Sequence, residues 1–292
     1  MKITGMVLVG ENEPYLHYSI NSIKDIVDDI VVFRKYGKMA DLTCMEIPMD
    51  VREKTRFIMQ KEGEVDFAKW RNEMLDDMRK HKTDWVLFLD ADEIFANSDG
   101  SPVTRKQLLK LFRIKFTFKE EDKEKKYYAE VFDIFTRHFM WNYFTIDATK
   151  GGFHHSSQRL FKIPKKPIEI EFQRKVHEVM IWYKQEKDKK YAYFPKHVGL
   201  TPKRLLDKVN PTWSVVETEN DKMPTIWHFG HCKGIEDLRG KYATRGRIED
   251  NPWFADRKGL TDDEYCAKHP KINGTLPCIH YAGKLPEVMK LW

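Results

Sequence analysis

The sequence predicts an α/β fold: a mixed, mainly parallel sheet flanked by helices, with a loop-rich C-terminal extension. Three observations predict it. Short apolar runs alternate with segments of helical spacing through the first ninety residues. Two of those runs, Ile30-Val31-Val32-Phe33 and Trp85-Val86-Leu87-Phe88-Leu89, are continuously apolar, as strands covered on both faces are. Three acids, Asp90, Asp92 and Glu93, directly follow the second run.

In order, Ile3–Val9 reads as a first strand. Pro14 stands where a helix can begin, and Tyr15, Leu16, Ile20 and Ile23 recur at helical spacing. Ile30–Phe33 is the second strand, and Thr43–Met49 is a candidate third. Phe67, Trp70, Met74 and Met78 mark a helix over Phe67–Met78, and Trp85–Leu89 is the next strand. Thr104–Phe118 reads as a basic helix. The charge run Lys119–Lys126 reads as a solvated loop or helix extension. Aromatic and β-branched residues then predict strands over Tyr127–Trp141, with shorter ones at Ser157–Phe161 and Ile168–Phe172 around a Pro164–Pro167 turn. After Pro195 the chain is loop-rich, with helical pieces near Pro202–Val209 and Ile235–Ile248. No linker is visible, so residues 1–235 are expected to form one domain, with residues 236–292 packed on it as an extension.

The composition bounds the class of molecule. Hydrophobic residues at 41% and aromatics at 13% can build a core, which argues against wholesale disorder. No apolar run reaches the ~20 residues that span a bilayer, and the opening stretch leads into Glu11-Asn12-Glu13 like a strand rather than a secretory signal. A cytoplasmic location follows as the expectation, with contact at a membrane surface left open. The net charge of +6 mildly favours anionic partners such as nucleotides, phospholipid head groups or nucleic acid. Cys44, Cys232, Cys266 and Cys278 are too scattered for a disulfide framework.

The acids carry the chemistry. Ligands of open α/β sheets bind beyond the carboxyl ends of the strands. Carboxylates there hold hard divalent cations, which in turn bridge phosphate oxygens. If the strand geometry continues past Leu89, Asp90 and Asp92 face the same side.

Several blocks then resemble family 2 glycosyltransferases of the GT-A (Rossmann-like) fold, and they occur in the family's order. They are Met6–Phe33 with Glu11-Asn12-Glu13, Phe67-Ala68, Arg71-Asn72, Asp84–Glu93, Arg159-Leu160-Phe161, Val176-His177-Glu178 and Ile226-Trp227-His228-Phe229-Gly230. The resemblance implies a nucleotide-sugar donor, a Mn²⁺ or Mg²⁺ ion and inversion at the anomeric carbon. By motif position it implies Asp90 and Asp92 at the metal and donor, with His228 as a third metal ligand and His231 as its rival. Glu93 becomes a supporting acid, Arg71 and Arg159 are the candidates to neutralise the diphosphate or else form structural ion pairs, Glu11 lies on the donor side, and His177 either touches the donor phosphates or orients Glu178. Glu178 is the base that takes the acceptor proton. Where the family's second strand ends in a base-reading aspartate, this sequence has Arg34. A guanidinium only donates hydrogen bonds, so an altered base preference is implied unless Asp41 or Asp66 takes over. The acceptor, whether glycan, lipid-linked, protein or nucleotide, has no residue code.

Other readings compete. A nucleotidyltransferase, or another metal-dependent phosphoryl-transfer enzyme, also places acids at a strand end. A non-catalytic nucleic-acid-binding protein would use the positive charge and the aromatics. Separately, Cys266-x-x-His269 and Cys278-x-His280 supply a thiolate–imidazole set of the kind that binds zinc.

Overall fold

A computed structural model of the chain describes residues 1–9, 13–35, 47, 49–60, 66–120, 123–140, 144–146, 155–174, 179–187, 189–200, 214–216, 222–232, 271–272, 276–280 and 284–290. The first elements are β1 (Ile3–Val9), α1 (Leu16–Ile23), β2 (Asp29–Lys35), the single turn α2 (Met49–Arg52), β3 (Thr55–Gln60), α3 (Phe67–Lys80) and β4 (Trp85–Asp90). β3, β2, β1 and β4 lie side by side and all run parallel. Their carboxyl ends therefore share one edge, where the site forms.

Past β4 the chain is strand-rich. β5 (Glu93–Asn97) and α4 (Arg105–Leu111) are followed by β6 (Lys115–Glu120), β7 (Lys123–Tyr128), β8 (Val131–Met140), β9 (Phe144–Ile146), β10 (His155–Lys162) and β11 (Ile168–Gln173). Then come β12 (Val179–Glu186), β13 (Lys189–Ala192), β14 (His197–Leu200), β15 (Ser214–Val216), β16 (Pro224–His231), β17 (Lys271–Ile272) and β18 (Leu276–His280), with a 3₁₀ turn at Glu287–Lys290.

Thirteen strands join one mixed sheet whose main path is β17-β18-β9-β8-β10-β4-β1-β2-β3. β10 runs antiparallel to both β4 and β8. β14 and β16 both lie parallel to β8, and β16 also pairs antiparallel with β5. β11-β12-β13 and β6-β7 form separate antiparallel sheets.

This overturns the expected GT-A (Rossmann-like) fold, a mainly parallel sheet flanked by helices. Strand residues far outnumber helical ones among the described residues, and past residue 90 the described strands pair mostly antiparallel, with β14 parallel to β15 and both β14 and β16 parallel to β8. The physical reason lies in the middle of the chain. From residue 115 to residue 200 it is rich in β-branched and aromatic residues with short connections. Antiparallel strands joined by tight turns need no crossover helix, whereas parallel ones do.

Two local expectations fail for the same reason. The described part of the charge run Lys119–Lys126 is strand: Lys119 and Glu120 close β6 and Lys123–Lys126 open β7, paired from Lys115↔Tyr128 to Glu120↔Lys123. The helix expected over Thr104–Phe118 stops at Leu111, and Lys115 onward is strand. The third parallel strand is Thr55–Gln60, and Met49, assigned to a strand from its sequence, opens α2. The helical pieces near Pro202–Val209 and Ile235–Ile248 lie outside the described residues.

The helices are set by their apolar stripes. α1 buries Leu16, Ile20 and Ile23 on one face of the sheet, beside Val7, Val32 and Leu89, and α4 adds Leu108 and Leu111 there. A Cβ on Gly5 would stand 2.6 Å from Ile23 Cδ1, so the glycine lets α1 lie close on β1. α3 buries Trp70, Met74, Leu75 and Met78 on the other face, with Val86, Ile170, Phe172 and Trp182. Each such fully buried side chain contributes about 2 kcal/mol of transfer free energy. The caps are local: Asp66 Oδ1 accepts from Lys69 N at 2.9 Å to open α3, and Thr104 and Gln107 form a capping box on α4. No described helix is long and apolar enough to cross a membrane.

Candidate functional site

β4 ends at Asp90, between parallel β1 on one side and antiparallel β10 on the other. Leu8 of β1 lies beside it, and Ala91 N donates back to Leu8 O at 3.0 Å. The strand does not continue as the alternation argument assumed. Ala91 and Asp92 form a turn, β5 starts at Glu93, and Phe229 N of β16 holds the turn through Asp92 O at 2.8 Å.

Asp90 is the hub. Its Oδ1 accepts from Arg71 Nη2 at 2.7 Å, and its Oδ2 lies 3.7 Å from Arg159 Nη2. Arg71 falls on the buried stripe of α3, and its side chain is 2% exposed against 37% for Asp90. Both guanidinium groups lie against the Phe88 ring, with Cζ at 3.9 Å from its centroid for Arg71 and 4.4 Å for Arg159. Next to Arg71, Asn72 donates to Phe172 O at 2.9 Å and accepts from Phe172 N at 2.8 Å, fixing β11 to α3.

Arg159 reaches the site through a bulge. The β10–β8 register pairs Gln158 with Asp133 and Leu160 with Phe132, so Arg159 is the extra residue. A bulge re-aims a side chain that strict alternation would direct elsewhere. Arg159 Nη2 donates to Glu93 Oε1 at 2.5 Å, and Glu93 Oε2 accepts from Asp90 N at 2.9 Å. Glu93 thus ties the end of β4 to the start of β5.

The electrostatics separate the two carboxyls. Desolvation alone would raise Asp90, but the positive charges of Arg71 and Arg159 outweigh it and hold the group below its ordinary value. Burial pushes the Glu93 carboxyl up to about 8 against the opposing charge of Arg159, with Asp90 and Asp92 adding to the rise. Asp90 is therefore a fixed anion, and Glu93 gives up its proton reluctantly.

Asp92 faces a histidine. His228 Nε2 lies 3.6 Å from Asp92 Oδ1, and both side chains are largely buried. β16 places His228 between two neighbours, paired with Glu93 of β5 on one side and His138 of β8 on the other. His228 Nδ1 lies 3.3 Å from His138 Nδ1.

Structure thus brings together Asp90, Asp92, Glu93, Arg71, Arg159 and His228 from the sequence-derived set. Arg34 lies near the end of β2, in register with Val9 of β1. It is 5% exposed, and alternation along β2 puts it on the face of Ile30 and Val32, opposite Phe33, which stacks on Trp70. Asp66, a candidate to replace the base-reading acid, is engaged as the cap of α3. Glu11, Asp41, His177, Glu178, Cys266 and His269 lie outside the described residues. Of the proposed zinc set, Cys278 and His280 are on β18, in register with Ile146 and Phe144. His231 closes β16 opposite Met140. Two participants were missed from the sequence: Phe88, hidden inside an apolar run, and His138, whose link to His228 spans ninety residues and exists only through strand register.

The residues fit a divalent cation in part. Among the described residues no three His, Cys, Asp or Glu side chains converge as a complete ligand set. Asp92 and His228 supply a carboxylate and an imidazole at a spacing near that of two ligands on one ion. Mg²⁺ in nucleotide sites is commonly held by one or two carboxylates, substrate phosphates and water, so few protein donors suffice; the carboxylate suits Mg²⁺ and Mn²⁺, while the imidazole leans toward the later divalent metals. No protein-family model and no curated protein matches the chain.

Proposed function

We propose that this protein is a metal-dependent inverting glycosyltransferase that moves a sugar from a nucleotide diphosphate sugar to an acceptor hydroxyl. The observation that carries the reading is the placement of Asp90 at the carboxyl end of parallel strand β4 and of Asp92 in the turn just beyond it, with Asp92 facing His228. The ordered sequence blocks that resemble family 2 glycosyltransferases support it independently of the fold.

Mn²⁺ or Mg²⁺ bound at Asp92 and His228 would neutralise the diphosphate as its charge develops. Asp90 and the guanidinium groups of Arg71 and Arg159 form a preorganised charged floor beneath it. The paired arginines keep Asp90 ionised, so it can accept from donor hydroxyls or from water at the cation. Glu178, assigned from the resemblance alone, takes the acceptor's proton as the acceptor oxygen bonds to the anomeric carbon. The bond from that carbon to the diphosphate oxygen breaks with inversion, and a nucleoside diphosphate leaves.

A thermal-shift screen with Mn²⁺ tests this reading. Selective stabilisation by one nucleoside diphosphate and its sugar conjugates supports it, because a ligand at 100 times its Kd adds about 2.7 kcal/mol to stability. Stabilisation and turnover with nucleoside triphosphates alone would point instead to nucleotidyl or phosphoryl transfer. Binding of nucleic acid with a steep salt dependence and no metal requirement would point to a non-catalytic binder.

A further inference from the structure

We infer that His138 is a positioning residue for the cation site, one that acts by fixing which nitrogen of His228 faces Asp92. The inference rests on the metal-dependent reading above and adds a residue to it. A metal-binding imidazole presents a bare nitrogen lone pair to the ion, so its other ring nitrogen carries the proton and needs an acceptor. His228 Nε2 is the nitrogen on the Asp92 side, at 3.6 Å. Its proton is then on Nδ1, which lies 3.3 Å from His138 Nδ1. His138 Nδ1 accepts that proton's hydrogen bond only when its own proton is on Nε2. With an ion at His228 Nε2 the pair has one compatible arrangement: His228 Nδ1–H donates to His138 Nδ1, and the His228 Nε2 lone pair faces the ion beside Asp92.

The sheet enforces this alignment. β8 and β16 run parallel with His138 directly opposite His228, so the two rings project from one row of the same sheet face. The rings sit 4.8 Å apart at an interplanar angle of 60°, tilted so that nitrogen meets nitrogen edge to edge rather than stacking. On the other flank His228 is paired with Glu93, which itself ties β5 to Asp90. The row Glu93, His228, His138 thus joins the anion hub to the imidazole that faces Asp92.

The test uses Mn²⁺ alone, titrated into the full chain and followed by loss of the free-ion electron paramagnetic resonance signal. Asn places an amide oxygen near the position of a histidine Nδ1, whereas Gln carries its amide one carbon farther out. His138→Asn is expected to keep Mn²⁺ affinity within about threefold, and His138→Gln and His138→Leu to weaken it about tenfold or more, the usual cost of losing such an orienting partner. All three are read beside His228→Ala and Asp92→Asn, with thermal melts to confirm folding. Because Asn and Gln are both polar, their comparison stands even if the leucine variant does not fold. Loss with His228→Ala and Asp92→Asn but none with His138→Gln overturns the positioning role and leaves the metal reading intact. Equal loss with Asn and Gln also overturns it, as an effect of packing. If His228→Ala and Asp92→Asn leave Mn²⁺ affinity unchanged, the metal reading and this inference fall together.

Discussion

Replacing Arg71 by methionine keeps a long side chain on α3 and removes its charge. The arginine side chain is 2% exposed and makes a 2.7 Å ion pair with Asp90, so the change leaves a carboxylate without its nearest partner. Breaking a buried pair on one side costs about 3–5 kcal/mol. Two features reduce that here. Asp90 is 37% exposed and keeps part of its hydration, and Arg159 remains 3.7 Å away. Methionine also retains contact with the Phe88 ring, a favourable sulfur–aromatic pairing. A loss of about 2 kcal/mol is the net expectation, measured as a lower urea midpoint at unchanged m. Asp90→Asn removes the stranded charge, so Arg71→Met with Asp90→Asn should be less destabilised than the sum of the two single changes, by about 1 kcal/mol. Additivity of the two, or a single-variant loss below about 0.5 kcal/mol, would refute the hub reading of Asp90.

Three further predictions follow from other parts of the molecule. Burial alone would raise the Asp29 carboxyl, but hydrogen bonds from Thr4, Arg56 and Lys2 outweigh it and hold the group below its ordinary 3.8. The unfolded chain therefore binds more protons in acid, so this group's stabilisation is present above pH 3.8 and is lost as pH falls through the lower folded value. Asp29→Asn should flatten the acid limb of the stability–pH curve, and an unchanged limb would remove Asp29 from the account. Gly100→Ala should lower stability by about 1–2 kcal/mol in urea unfolding, since φ there is 83° and the new Cβ would stand 2.9 Å from Leu285 O; a neutral result would mean the 284–290 segment does not pack there. Glu178→Gln should spare Mn²⁺-dependent nucleotide affinity while abolishing most turnover, because an amide keeps the shape and cannot take the proton; a parallel fall in both would make Glu178 structural.

The start of the fold was legible because it is written in local patterns. Continuous apolar runs and a helical stripe at Phe67, Trp70, Met74 and Met78 depend only on near neighbours, and β1, α1, β2, α3 and β4 stand where those patterns put them. The rest was set by pairing between distant segments, which periodicity does not encode. The charged stretch Lys119–Lys126 looks like a solvated loop because its residues are charged and Lys123–Lys126 are all exposed, yet the register of Lys123–Tyr128 with Lys115–Glu120 makes it part of a hairpin. The site divides the same way. Asp90 and Asp92 announce themselves by following an apolar strand. That Arg159 is aimed by a bulge and that His138 backs His228 follow only from the register of β8 with β10 and β16. Arg34 stands near the end of β2 as its sequence position implies, and its burial is the part that position does not encode.

The most direct test of the central claim is calorimetric titration of a nucleoside diphosphate into the protein, with and without Mn²⁺, for the wild type and for Asp92→Asn. The account predicts wild-type binding that is strengthened at least tenfold by Mn²⁺, and an Asp92→Asn protein that melts like wild type but has lost the metal-dependent gain. Equal nucleotide affinity in both proteins, with the same response to Mn²⁺, would contradict it.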